Sequence, residues 1–112
     1  MWLKRKKEDN KPQYFVQITE QSQFDKLLED KQDFLLLKHS YRCSISTTAY
    51  NRVEKFLEKS NKTAYLVDVV AHRDLSMHIA QKTGVQHESP QWFQFQEGAL
   101  QSNASHLSIY PS

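Results

Sequence analysis

The sequence predicts an α/β domain in which helices cover a mixed central sheet. Its elements follow the order strand, helix, strand, helix, strand, helix and hairpin, as the spacing of apolar residues indicates. Crossover helices join parallel strands and a hairpin joins antiparallel ones, so the sheet must contain both kinds of pairing. A length of 112 residues, with 38% hydrophobic and 25% charged residues, is typical of one folded domain.

The first strand and the first helix lie near the start of the domain. The segment YFVQI, which follows Pro12, has the β-branched and aromatic composition of a strand. Either Thr19 or Ser22 is expected to cap the helix formed by QFDKLLEDK. The apolar residues of that helix share one stripe, as expected for a face that packs on a sheet: Phe24, Leu27 and Leu28.

The second strand leads to Cys43, the single cysteine of the sequence. The run DFLLLKH is almost wholly apolar, which indicates a strand covered on both faces. After Cys43 the apolar residues recur at helical spacing, and this helix is predicted to end at about Lys59. They are Ile45, Ala49, Val53, Phe56 and Leu57.

The remaining elements are a strand, a helix and a hairpin. AYLVDVV is a second buried-strand pattern, and HRDLSMHIAQKTG follows it as a helix that stops at Gly84. SPQWFQFQEGALQS then alternates polar and aromatic residues and turns at Glu97 and Gly98. This pattern predicts a β-hairpin.

Cys43 is the residue best placed to carry chemistry. If a helix begins just after it, the sulfur lies among free backbone N–H groups at the positive end of the helix dipole, and both stabilise a thiolate. Arg42 beside it, with Lys38 and His39 a few residues back, is expected to add positive charge. Such effects lower a cysteine pKa from about 8.5 into the range of about 3.5 to 7.5. The sequence therefore favours a reactive thiol.

Other interpretations of Cys43 are a small buried hydrophobe, a metal ligand and a protease nucleophile. The polar neighbours Ser40, Ser44 and Ser46 argue against deep burial. A cysteine protease usually needs a larger body to hold its substrate. No metal site is expected, because none of the histidines forms a ligand pair at short regular spacing with the cysteine: His39, His72, His78, His87 and His106.

Charge and composition limit the partners and the location. A net charge of +2 is too small to argue for nucleic-acid binding. The basic segment MWLKRKKEDNK and Pro12 make up residues 1–12, which are expected to form a flexible tail. The domain is expected to cover residues 13–112. The sequence lacks a secretory signal and a membrane span, and a lone cysteine suits a reducing compartment. We expect a cytoplasmic protein with no membrane partner.

Several segments resemble known proteins. The order of elements, CSIS at the head of the second helix and ESP just before a strand resemble the thioredoxin fold, in which a cis proline, here Pro90, faces the redox cysteine. FLLLKHSYRCSIS, RDLSMHIAQKTGVQHESPQ and NASH resemble the monothiol bacilliredoxin-like family, from about Gln13 to Ile109. The resemblance implies a thioredoxin-like three-layer α/β sandwich. It also implies thiol–disulfide exchange in oxidative stress, with the small thiol bacillithiol as co-substrate.

The resemblance further implies how Cys43 reacts. Its thiolate is expected to take bacillithiol from bacillithiolated client proteins, with no bound cofactor. Ser46 stands where dithiol relatives have a second cysteine, so an external small thiol or a reductase must regenerate Cys43. The residues expected to support the sulfur are its neighbours Arg42, Ser44, Ile45, Ser46 and His39. The incoming disulfide is expected to be aligned by Ser89 and Pro90, which precede the fourth strand.

The sequence departs from the family pattern at two places. Ser44 follows the cysteine where the family usually has proline. The last helix of the fold is barely present in SHLSIYPS, so a shortened or missing C-terminal helix is expected. One face of the sheet would then be only partly covered, and a weak homodimer could supply the missing cover.

Two other functions stay open. A thioredoxin-fold binding module with an incidental cysteine would act through the surface of Trp92 and Phe93 or through the basic tail. An iron–sulfur cluster carrier would hold a cluster between two subunits through one cysteine from each.

Overall fold

The computed structural model describes residues 13–112, so the flexible tail expected for residues 1–12 lies outside the described residues. The elements follow the expected order and have these bounds: β1 Phe15–Gln17, α1 Gln21–Glu29, β2 Phe34–His39, α2 Ser44–Ser60, β3 Ala64–Asp68, α3 Arg73–Thr83, β4 Gln91–Gln96, β5 Ala99–Ser105 and a 3-10 turn His106–Ser108. In this part of the chain no helix is long and apolar enough to cross a membrane.

The five strands form one sheet in the order β1-β3-β2-β4-β5. β3 pairs in parallel with β1 and β2, whereas β4 runs antiparallel to β2 and β5 runs antiparallel to β4. The predicted mixed sheet is therefore confirmed. Because β2 is the central strand, its carboxyl end delivers the residues that follow to the middle of one sheet edge.

The sheet separates two apolar layers, which gives the expected three-layer sandwich. The layer under α1 and α3 contains Ile18, Phe24, Phe34, Leu36, Val67, Leu75, Ile79, Phe93 and Phe95. The layer under α2 contains Leu37, Ala49, Val53, Leu57, Ala64, Leu66, Trp92 and Ile109. Strand β2 contributes to both layers because successive side chains of a strand point to opposite faces.

The cap of α1 differs from the expectation, which placed it at Thr19 or Ser22. Glu20 is the capping residue. The backbone amides of Thr19 and Glu20 donate hydrogen bonds of 2.8 and 3.0 Å to Oε1 of Gln23 in the first turn. A glutamine that reaches back from the first turn fixes the entry to the helix, so the serine or threonine cap was wrong.

Left-handed residues end two helices and form the hairpin turn. Asn61 ends α2 with φ 55° and Gly84 ends α3 with φ 74°, as predicted for Gly84. Glu97 and Gly98 turn the hairpin with φ 52° and 75°. A Cβ at Gly98 would lie 2.6 Å from the carbonyl oxygen of Leu28, so this turn needs a glycine where it meets α1.

The expected shortening of the C-terminal helix is confirmed, because only a 3-10 turn follows β5. Arg52 of α2 forms hydrogen bonds with the backbone of this turn and of the residue that follows it. Its Nη1 donates hydrogen bonds to the carbonyl oxygens of Leu107 and Ile109, at 2.9 and 3.3 Å. Ile109 is fully buried under α2, and the Arg52 guanidinium lies 4.0 Å from the ring centroid of Tyr110. Residues 107–110 therefore pack against α2.

The hairpin is polar on the side that faces α2. Gln94 and Gln96 lie on the same face of β4 as Trp92, and Ser102 of β5 pairs with Gln94. These polar side chains make favourable contacts with water, and the weak homodimer stays a prediction.

Candidate active site

The thiol of Cys43 lies at the start of α2, at the sheet edge where β2 ends. Cys43 is the capping residue of the helix, with an extended backbone of φ −117° and ψ 125°. Its carbonyl oxygen accepts hydrogen bonds from the amide and the hydroxyl of Thr47, at 3.2 and 3.4 Å. Its side chain is partly exposed. The predicted placement of the sulfur at a helix N-terminus is confirmed.

The first turn of α2 lowers the pKa of the Cys43 thiol below its ordinary value. The main cause is the nearby backbone N–H of Ser46, followed by that of Ile45, because these dipoles favour the negatively charged thiolate. Partial burial opposes them, and the Ser46 hydroxyl adds a smaller lowering effect. The hydroxyl oxygen is buried and reaches no partner at full hydrogen-bonding geometry within the described residues. The backbone N–H groups of this turn therefore contribute most to lowering the thiol pKa.

Positive charge from Lys38, His39 and Arg42 does not explain the lowered pKa, and that part of the prediction is wrong. The groups that lower it are the donors of the first turn, with no charged side chain among them. Lys38 points to the opposite face of the sheet, where its Nζ donates a hydrogen bond of 3.0 Å to the carbonyl oxygen of Ser76 on α3. Arg42 is exposed, so water and salt screen its charge.

His39 is buried, and its surroundings favour the neutral form of its imidazole. Burial lowers the pKa of its imidazole, and this outweighs the Asp68 carboxylate and the Ser46 backbone, which raise it. The ring lies edge-on to Tyr41, with centroids 4.4 Å apart, and 5.0 Å from the ring centroid of Tyr50. His39 therefore supports the loop before α2 by packing.

Ser89 and Pro90 reach the same sheet edge as Cys43. Gln91, the first residue of β4, pairs with Lys38 near the end of β2, so the segment before β4 lies beside the residues that lead to the thiol. The Ser89–Pro90 peptide bond is cis, as the resemblance implied. Within residues 13–112 the buried hydroxyl oxygen of Ser89 has no hydrogen-bond partner.

Three exposed apolar side chains lie at the same end of the sheet as the thiol. Tyr41, Ile45 and Val70 expose 62%, 38% and 54% of their surface. They come from the loop before α2, from its first turn and from the segment after β3, which meet at this edge of the sheet. Exposed apolar groups of this kind can contact a protein substrate.

A buried polar network behind Ser89 and Pro90 was missed by the sequence analysis. Lys38 and Gln91, both fully buried, make hydrogen bonds to the loop between α3 and β4. The signal in the sequence is a lysine within the apolar run FLLLKH, since lysine is rarely buried without a specific partner.

Histidines away from the thiol have separate partners. Nε2 of His78 lies 2.7 Å from the Asp25 carboxylate, and Nε2 of His106 lies 3.2 Å from the Glu88 carboxylate. Across the described part of the chain, no three His, Cys, Asp or Glu side chains come together as a candidate metal site.

Comparison with known families agrees with this geometry. The family described as monothiol bacilliredoxin BrxC matches residues 16–112. The matched region contains Cys43, the first turn of α2 and the Ser89–Pro90 segment.

Solved structures of similar proteins have the same fold. One of them, 38% identical with a TM-score of 0.82 over 87% of each chain, has a thioredoxin fold and a provisional assignment as an oxidoreductase. Thioredoxin O2 from Arabidopsis thaliana is 16% identical, with a TM-score of 0.67 over 86% of this chain and 85% of that one. Thioredoxin from Trypanosoma brucei brucei is 17% identical, with a TM-score of 0.66 over 88% and 86%. The expected thioredoxin-like fold is confirmed.

Proposed function

The chain belongs to the monothiol bacilliredoxin family, and on that premise we propose that it is a cytoplasmic thiol–disulfide oxidoreductase that removes bacillithiol from client proteins. Its substrates are the mixed disulfides that bacillithiol forms with protein cysteines under oxidative stress. The observation that carries the proposal is the partly exposed Cys43 sulfur at the start of α2, where two backbone amides stabilise the thiolate.

In the first step the Cys43 thiolate attacks the bacillithiol sulfur of the mixed disulfide. The bond between the client sulfur and the bacillithiol sulfur breaks as the new disulfide to Cys43 forms. The client cysteine leaves as a thiolate and takes a proton from water. Client and enzyme exchange one disulfide for another, so no net oxidation occurs in this step.

The second step needs a thiol from outside the chain, because the sequence contains one cysteine. Ser46 lies in the first turn of α2, three residues after Cys43, and a hydroxyl cannot attack a disulfide under these conditions. The thiolate of a second bacillithiol, or of a reductase, attacks the bacillithiol sulfur of the Cys43 adduct. This releases the Cys43 thiolate and forms a new disulfide that contains the bacillithiol.

The surroundings of Cys43 support binding of a polypeptide. The apolar side chains of Tyr41, Ile45 and Val70 are exposed at the same end of the sheet as the thiol. The Ser89 backbone, at the same sheet edge, can pair with an extended client segment in the manner of an added strand. A client cysteine held by these contacts would present its disulfide to Cys43.

Intact-mass measurement of the reduced protein with excess bacillithiol disulfide tests the proposal. We expect one bacillithiol adduct on the wild-type chain and none on Cys43→Ala. Ser46→Ala is the matched control, because it should still form the adduct and should still lose it when free bacillithiol is added. A wild-type chain that stays unmodified in excess reagent would contradict the proposed function.

A further inference from the structure

Lys38 is unusual because its side chain is fully buried within an apolar strand. Its Nζ donates a hydrogen bond of 3.0 Å to the carbonyl oxygen of Ser76 and lies 3.0 Å from Nδ1 of His87. The ring centroid of Phe93 lies 5.6 Å from Nζ. Lys38 forms no ion pair with a carboxylate in the described part of the chain. Neutral acceptors therefore compensate the buried ammonium.

These two acceptors belong to different segments, which Lys38 joins to β2. Ser76 lies on α3, and His87 lies in the loop between α3 and β4. An ammonium group has no lone pair, so Nδ1 of His87 accepts the hydrogen bond and the ring proton sits on Nε2. An unpaired buried charge costs free energy, so Lys38 favours the arrangement in which both acceptors stay in place.

Gln91 holds the same loop from the neighbouring strand. It is the register partner of Lys38 and lies on the same face of the sheet. Its Nε2 donates a hydrogen bond of 3.0 Å to the carbonyl oxygen of Gln86, and its Oε1 accepts one of 3.4 Å from the amide of Glu88. The loop is thus fixed on both sides of His87, which lies two residues before Ser89.

From this arrangement we propose that Lys38 and His87 are positioning residues for client binding. They hold the loop so that the Ser89 backbone is ready to receive the client polypeptide. They act on the binding of the polypeptide and not on the reactivity of Cys43, because the Lys38 side chain points to the opposite face of the sheet. The inference rests on the proposed function and adds to it the residues that place the client-binding segment.

The charges around His87 keep its imidazole able to accept. Burial, the Lys38 ammonium and the Arg73 guanidinium at the start of α3 lower the pKa of His87, in that order, and the Glu88 carboxylate raises it less. Glu88 also binds His106 of the 3-10 turn, at 3.2 Å. A neutral imidazole beside a charged ammonium is the combination that the hydrogen bond needs.

The test compares His87→Leu with His87→Asn, two variants whose side chains have the same number of heavy atoms and the same branching at Cγ. The asparagine oxygen can stand near the position of Nδ1 and accept from Lys38, whereas leucine cannot. The probe is a short peptide whose single cysteine is disulfide-linked to bacillithiol. We expect His87→Leu to raise the half-saturating peptide concentration on the order of tenfold or more, as for a lost hydrogen bond to a charged group. His87→Asn should stay within about twofold of wild type, because it keeps an acceptor.

Two peptide-free reactions separate positioning from a general loss of structure. The rate of Cys43 alkylation and the rate of exchange with bacillithiol disulfide should be the same in wild type and His87→Leu. Lys38→Met should behave like His87→Leu, and Lys82→Met on the exposed side of α3 should behave like wild type. Circular dichroism of each variant shows whether it is folded.

The outcomes distinguish this inference from the proposed function. If the wild-type chain exchanges with neither disulfide, the proposed function fails. If it exchanges with both but folded His87→Leu binds the peptide as wild type does, the positioning role is wrong. The role is also wrong if leucine and asparagine at this position have equal effects, or if alkylation slows in parallel with peptide exchange.

Discussion

The ammonium of Lys38 lies 3.0 Å from Nδ1 of His87 and joins the central strand β2 to the loop before β4. Lys38 is fully buried, and this burial lowers the pKa of the ammonium from 10.5 to about 8. A lysine with such a pKa makes the stability of the fold depend on pH in a defined direction.

We predict that the wild-type chain gains stability relative to Lys38→Met as the pH rises from 8 to 10. Between the folded pKa of about 8 and the unfolded value of 10.5, the unfolded chain binds more protons at Lys38 than the folded chain does. The free energy of unfolding therefore rises with pH, by at most about 1.4 kcal/mol per pH unit. Urea unfolding of both proteins across this pH range measures it. Stability curves that stay parallel would show that Lys38 keeps an ordinary pKa in the folded state.

A second prediction concerns Ser44, the first residue of α2. Ser44→Pro should raise the free energy of unfolding by about 0.4 to 1 kcal/mol, because proline is favoured at the first helical position and restricts the unfolded chain. The backbone of Cys43, at φ −117° and ψ 125°, already has the extended conformation that a following proline requires. The thiol pKa should not change, because the backbone N–H groups that lower it belong to Ser46 and Ile45. Thermal and urea unfolding measure the first effect, and destabilisation would contradict it.

The order of strands and helices was predictable from the sequence because the apolar spacing changes clearly between elements. The cap of α1 was not, because it depends on Gln23 reaching back to Thr19 and Glu20. Side chains in the first turn can replace a capping hydroxyl, and composition does not show which of them does so.

The placement of Cys43 at the start of α2 could also be predicted, but the charges around it could not. Lys38 and His39 are neighbours on one strand, so their side chains point to opposite faces of the sheet. At most one of them can therefore lie on the same face as the thiol. Which partners each one meets depends on α3, on the loop before β4 and on the tyrosines around His39. Most of these partners are distant in sequence, so only the folded chain reveals that Lys38 binds the loop and that His39 is buried.

The central claim is that backbone amides of α2 hold Cys43 as a reactive thiolate, and the rate of Cys43 alkylation as a function of pH tests it most directly. The midpoint of the profile reports the thiol pKa. We predict a midpoint below that of a cysteine in an unstructured peptide under the same conditions, and only a small rise in Ser46→Ala, which keeps the amide and loses the hydroxyl. A midpoint at or above that of the unstructured peptide would contradict the claim.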